Sequence, residues 1–84
     1  MSPDYEIRIP HFYCLEYQEQ GRVMVLEIDF RDPVLYLDRT LVRGWQPPDR
    51  DLAITPTDQV RIISNVYDYL VRQRGFDKVE LDLS

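Results

Sequence analysis

Residues 45–58 read Trp45-Gln46-Pro47-Pro48-Asp49-Arg50-Asp51-Leu52-Ala53-Ile54-Thr55-Pro56-Thr57-Asp58. This stretch joins a run of strand-like sequence to the one strong helix signal in the chain. Thr55 suits an N-cap, and Pro56 suits the first helical position, where a missing N–H costs nothing. Asp58 completes an acidic variant of the capping box and faces the positive end of the helix dipole. Arg72 and Arg74 suit the last turn, and Gly75 suits the left-handed position after it. At about 100° per residue, Ile62, Ile63, Val66 and Leu70 centre a wide apolar arc. Tyr67 and Tyr69 lie towards its flanks, and Arg61, Ser64, Asn65, Asp68 and Arg72 fill the remainder. The centre of the arc is expected to face a sheet.

Upstream, Tyr5-Glu6-Ile7-Arg8-Ile9 alternates apolar and charged residues, the period of a half-buried strand. Pro10 interrupts it. Residues 12–17 read as a second strand, and Gln18-Glu19-Gln20-Gly21 as a polar turn with Gly21 free to take a positive φ. Residues 22–30 give the clearest strand. Met24, Leu26, Ile28 and Phe30 share one face; Val23, Val25, Glu27 and Asp29 share the other. Arg31-Asp32-Pro33 marks a turn. Residues 34–38 follow as a strand, which residues 40–42 continue or replace with another. After Gly75, Val79, Leu81 and Leu83 alternate with Lys78, Glu80 and Asp82 in a final strand. Short turns between consecutive strands predict a meander. The expected architecture is a single α+β domain, residues 1–84: an antiparallel sheet of five or six strands with one long helix packed on one face.

Fifteen acidic residues against ten basic ones give a formal charge of −5. The arginines are scattered, whereas nucleic-acid binding needs clustered cations, so DNA and RNA are not expected partners. An acidic surface steers association with basic partners and also keeps a protein soluble. One cysteine excludes an internal disulfide, and one histidine with one cysteine argues against a zinc site. A small domain without cross-links fits the cytoplasm. Met1-Ser2-Pro3-Asp4 is acidic with no apolar run after it, and no segment is long and apolar enough for a membrane span.

Catalytic residues are not expected. His11 falls between two strands. Cys14, three residues on, should point to the opposite face and pack as a small apolar residue. Glu27 and Asp29 are same-face carboxylates, but no phosphate loop or metal-ligand spacing accompanies them. No cofactor is expected either.

Recognition offers more. Six tyrosines, three phenylalanines and a tryptophan form a rich aromatic set. The tyrosines either line an open face, where interfaces favour them, or pack in the core with hydroxyls at the rim. Glu6, Glu16, Glu27, Asp29, Asp38, Glu80 and Asp82 fall in expected strands. On a shared helix-free face they would form a negative surface for a basic protein. Trp45 either packs beneath the helix or is presented with Asp49, Arg50 and Asp51 on an extended loop.

The Trp45-x-Pro47-Pro48-x-x-Asp51 spacing is followed by Ile54-Thr55 opening a helix with Ile62, Ile63 and Asn65. Leu70 and Gly75 then precede a terminal strand. Over residues 34–82 this pattern resembles a family of small bacterial immunity proteins encoded beside polymorphic or contact-dependent toxins. The resemblance implies a cytoplasmic, non-enzymatic inhibitor that binds a toxin domain stoichiometrically. The expected contacts are Glu27, Asp29, Tyr36, Asp38, Trp45, Asp49 and Asp51, pairing with a basic toxin domain. A different expectation is a self-associating module that forms a homodimer through a sheet face or edge.

Overall fold

The computed structural model describes residues 5–83; residues 1–4 and residue 84 lie outside them, and with them the reading of the acidic start. The elements run β1 (Tyr5–His11), β2 (Cys14–Glu19), β3 (Arg22–Glu27), β4 (Leu35–Asp38), α1 (Pro56–Asp68) and β5 (Val79–Asp82). The protein is α+β, but the expected single antiparallel sheet of five or six strands is corrected. β1, β2 and β3 form an antiparallel sheet in that order, and β4 pairs with β5 in a separate two-stranded sheet that is parallel. The helix explains the difference. β4 meets β5 only after the chain has crossed through α1, and a crossover of that kind returns a strand in the same direction.

The β2–β3 hairpin is locally specified. Gln20 and Gly21 both take positive φ, 51° and 77°. That is the two-residue turn whose twist matches the flanking strands. It sets the register Tyr17↔Met24 and Leu15↔Leu26 and points all four side chains into the core. β1 continues through Pro10 to His11, with its register shifted between Arg8 and His11. As an edge strand it tolerates a residue that cannot donate. β3 stops at Glu27, and the outer edge of its first half is covered where Gln46 N–H donates to the Val23 carbonyl at 2.7 Å. Residues 40–42 form no strand. Arg39–Leu41 is a single 3-10 turn, capped by the Asp38 carboxylate accepting from Thr40 N–H at 2.8 Å.

The start of α1 follows its sequence signal. Thr55 Oγ1 accepts from Asp58 N–H, and Asp58 Oδ2 accepts from Thr55 N–H, both at 3.1 Å. The bond from the Thr55 backbone, followed by that from Arg61, brings the Asp58 carboxyl down to about 2. Ile62, Ile63, Val66 and Leu70 are all fully buried, as the arc requires. They join Leu15, Met24, Leu26, Leu35 and Leu37 in one core that both sheets share. The far end differs from a regular helix. Residues Tyr69–Gln73 widen, with Arg74 N–H donating to the Tyr69 carbonyl at 3.1 Å, five residues back. Gly75 then takes φ 74° and Phe76 N–H donates to the Leu70 carbonyl.

A buried polar chain ties the hairpin to the helix. Glu19 is 7% exposed and faces inward from the end of β2. The Arg61 guanidinium forks onto it through Nε at 3.1 Å and Nη2 at 2.8 Å. Its Nη1 reaches Asp58 at 2.7 Å. Tyr17 O–H donates to Glu19 Oε1, and Asn65 Nδ2 donates to the Tyr17 hydroxyl, both at 3.0 Å. Every partner of the buried carboxylate is thus hydrogen-bonded, the condition under which a charge is tolerated inside a small domain. Burial pushes the Tyr17 phenol well above its ordinary range.

Candidate interaction surface

Outward positions of the hairpin alternate with the core positions. Cys14, Glu16 and Gln18 of β2 and Val23, Val25 and Glu27 of β3 lie on the face away from Leu15 and Tyr17. Past Glu27 the chain turns sharply. Ile28 enters the core, and the Asp29 carboxylate accepts from Arg31 N–H at 3.0 Å, a local turn of the kind aspartate favours. The Arg31 side chain forks back onto Asp29 through Nε at 3.1 Å and Nη2 at 3.3 Å, holding that carboxyl below the usual range. The same guanidinium lies 4.5 Å from the centre of the Phe12 ring. Phe30 N–H donates to the Phe12 carbonyl at 2.6 Å, so this turn and the β1–β2 tip are held together.

That tip presents aromatic surface. Tyr13 is 53% exposed, stacked on His11 at 5.3 Å and met edge-on by the half-exposed Phe12 at 5.2 Å. Tyr13, Cys14, Val25, Glu27, Ile28 and Asp29 line an open depression of about 520 Å³. A second hollow of about 110 Å³ shares Glu27, Ile28 and Asp29 and runs on to Asp32, Val34 and Tyr36. Tyr36, 65% exposed, stands on the outer face of β4. The two hollows adjoin at Glu27, Ile28 and Asp29; the larger is mostly apolar and the smaller mostly polar.

Three of the seven expected contact residues, Glu27, Asp29 and Tyr36, therefore share a site. Asp38 lies two residues along the same face as Tyr36, opposite Asp82 of β5, with its carboxylate engaged by Thr40. Asp49 and Asp51 belong to the separate loop before α1. Trp45 requires a correction. It is 5% exposed, with its ring 6.4 Å from that of Tyr17 and beneath the Arg22 guanidinium at 4.9 Å. An indole ring carries too much apolar area to be left in water when a core position is within reach.

The expected face also divides. Glu6, Glu16 and Glu27 belong to the three-stranded sheet, Asp38, Glu80 and Asp82 to the parallel pair, and Asp29 to the turn between β3 and β4. The tyrosines split between both readings: Tyr17 is core, Tyr5, Tyr67 and Tyr69 are half-buried, and Tyr13 and Tyr36 are exposed. His11 and Cys14 are cross-strand partners, so they share a face and do not oppose each other. The tight tip places them on adjacent strands, where residues directly opposite point the same way. Among the described residues, no three His, Cys, Asp or Glu side chains are grouped to hold a metal ion. No helix among them is long and apolar enough to cross a membrane.

Comparison with protein families, curated proteins and solved structures finds no match. The surface is therefore read from its own chemistry. Tyr13, weighed with the other tyrosines as open face or core, and Val25 and Asp32 were not among the expected contacts. Val25 was legible, because it shares the outward period with Glu27. Tyr13 and Asp32 were not, because a turn rather than a strand carries each of them.

Proposed function

We propose that this chain is a non-enzymatic inhibitor of the bacterial immunity type. It acts in the cytoplasm and binds a basic toxin domain stoichiometrically, without a cofactor. The observation that carries the reading is the pair of adjoining hollows lined by Tyr13, Val25, Glu27, Asp29, Asp32 and Tyr36. Exposed aromatics beside an apolar floor are the features that anchor interface centres. The carboxylates at the margin steer a cationic partner and set orientation. The Trp45-Gln46-Pro47-Pro48 resemblance supplies the specific class.

The test is a pull-down with the immobilised chain from extract of its source cells, at low and high salt. Binding of the captured protein is then repeated with purified components. The expected outcome is a one-to-one complex with a polypeptide carrying a basic C-terminal domain whose toxicity is lost on binding. Tyr36→Ala combined with Glu27→Gln should release it while leaving the fold intact. An unaffected complex would place the interface elsewhere.

Self-association through the edge of β1 is the competing reading. Among the described residues β1 has one strand neighbour, β2. β1 carries Pro10 and, in its pairing with β2, a register shift between Arg8 and His11, irregularities of the kind that blunt edge-to-edge pairing. Capture of a second copy alone in the pull-down would favour it.

A further inference from the structure

We infer that the depression between Tyr13, Val25 and Glu27 is built to take one arginine side chain from a protein partner. This deepens the reading above and rests on the surface being a protein-binding one. Val25, Ile28 and the Tyr13 ring supply apolar wall, and Glu27 stands at the side of the same hollow, opposite Cys14. A long cationic side chain matches that division, with its stem on the apolar wall and its head at the carboxylate. Glu27, Asp29 and Asp32 set three carboxylates against the single guanidinium of Arg31, so the patch keeps a negative balance after its internal pairing. Asp29 is already forked by Arg31, whereas no hydrogen bond or ion pair engages the Glu27 carboxylate among the described residues.

Arginine fits better than lysine for a reason visible next door. Within this patch Arg31 lays its guanidinium over the Phe12 ring and forks onto a carboxylate. Planar stacking combined with a two-pronged contact is available to guanidinium and not to ammonium. Tyr13, with one ring face stacked on His11, and Glu27 offer a second aromatic and carboxylate combination in the adjoining hollow, which no arginine lines.

The experiment titrates three Gly-Ser peptides, carrying a central Arg-Leu, Lys-Leu or Gln-Leu, into the isotope-labelled chain and follows its NMR resonances. The arginine peptide should move Tyr13, Val25 and Glu27, bind several-fold more tightly than the lysine peptide, and lose about tenfold on Glu27→Gln, the weight of one charge-assisted hydrogen bond. Equal shifts from the arginine and glutamine peptides would overturn the arginine assignment while leaving a protein-binding surface in place. Shifts spread evenly over Asp38, Glu80 and Asp82 would overturn it as loose counterion attraction, and so would silence from all three peptides. Should the arginine peptide bind as described while no toxin domain is captured, the inhibitor reading alone fails.

Discussion

Arg61 on Glu19 and Arg31 on Asp29 are the same chemical pair in two settings. Each guanidinium forks onto a carboxylate through two nitrogens, between 2.8 and 3.3 Å. Glu19 is nearly sealed from water and bridges β2 to α1, 42 residues apart. Asp29 is exposed and bridges only two residues of one turn. A buried carboxylate stripped of its partner has nowhere to find another, whereas an exposed one rehydrates. Geometry alone therefore does not set the weight of an ion pair. The inner fork belongs to the fold, and the outer one shapes a surface.

The sharpest way to break this contrast is to delete each arginine. Arg61→Ala leaves Glu19 buried without its counter-charge, with the Tyr17 hydroxyl still bonded to it, and should cost about 3 kcal/mol in urea unfolding, the lower end of the range for such a loss. Arg31→Ala should leave the same midpoint unchanged. Equal losses from the two variants would refute the distinction.

Tyr17→Phe probes the inner network further. It removes the hydroxyl that links Glu19 to Asn65. A loss of about 1–2 kcal/mol is expected, as for a buried hydrogen bond whose partners remain. Thr55→Ala should cost about 1 kcal/mol by removing the helix cap, with the lost ellipticity at the start of α1 as its readout.

Acid supplies a further test. The Asp58 carboxyl is depressed from 3.8 to about 2 by its cap bonds and by Arg61. A depressed carboxyl stabilises the fold above its unfolded value and loses that contribution as pH falls through the folded one. Stability should therefore decline between about pH 4 and pH 2, and Asp58→Asn should flatten that segment of the curve. An identical decline in the variant would assign it to other groups. The smallest expected effect belongs to the outer pair. The Asp29 carboxyl should titrate below the ordinary aspartate range by carbon-13 NMR and return to it in Arg31→Ala.

The parts of the molecule that were legible in sequence are those governed by short spacing. The cap at Thr55, the buried row Ile62, Ile63, Val66 and Leu70, and a turn ending at a positive-φ Gly21 each depend on residues within a turn or two of one another. The parallel pairing of β4 with β5 was not legible, because hydrophobic alternation carries no information about strand direction. Glu19 illustrates a subtler loss. Its place in a polar run made it look like turn, although it continues the inward period of Leu15 and Tyr17. Asn65 and Arg61 sit on the polar side of the helix wheel, yet they serve the interior by reaching across its rim. Of the expected contacts, Glu27, Asp29 and Tyr36 were chosen by residue type and expected strand face, and they fall on adjoining hollows. The Tyr13 contribution emerged only when the β1–β2 tip folded beside the β3–β4 turn.

The crossover between β4 and β5 also orders events in time. The β2–β3 hairpin closes over two residues, and α1 nucleates on its own capping box. Neither depends on distant chain. β5 has no partner until residues 39–78 have brought it back to β4, and loop closure over such a span is slow relative to a hairpin. The parallel pair should therefore assemble last. Because Tyr36 stands on β4, the surface around it reaches its final shape only with that step.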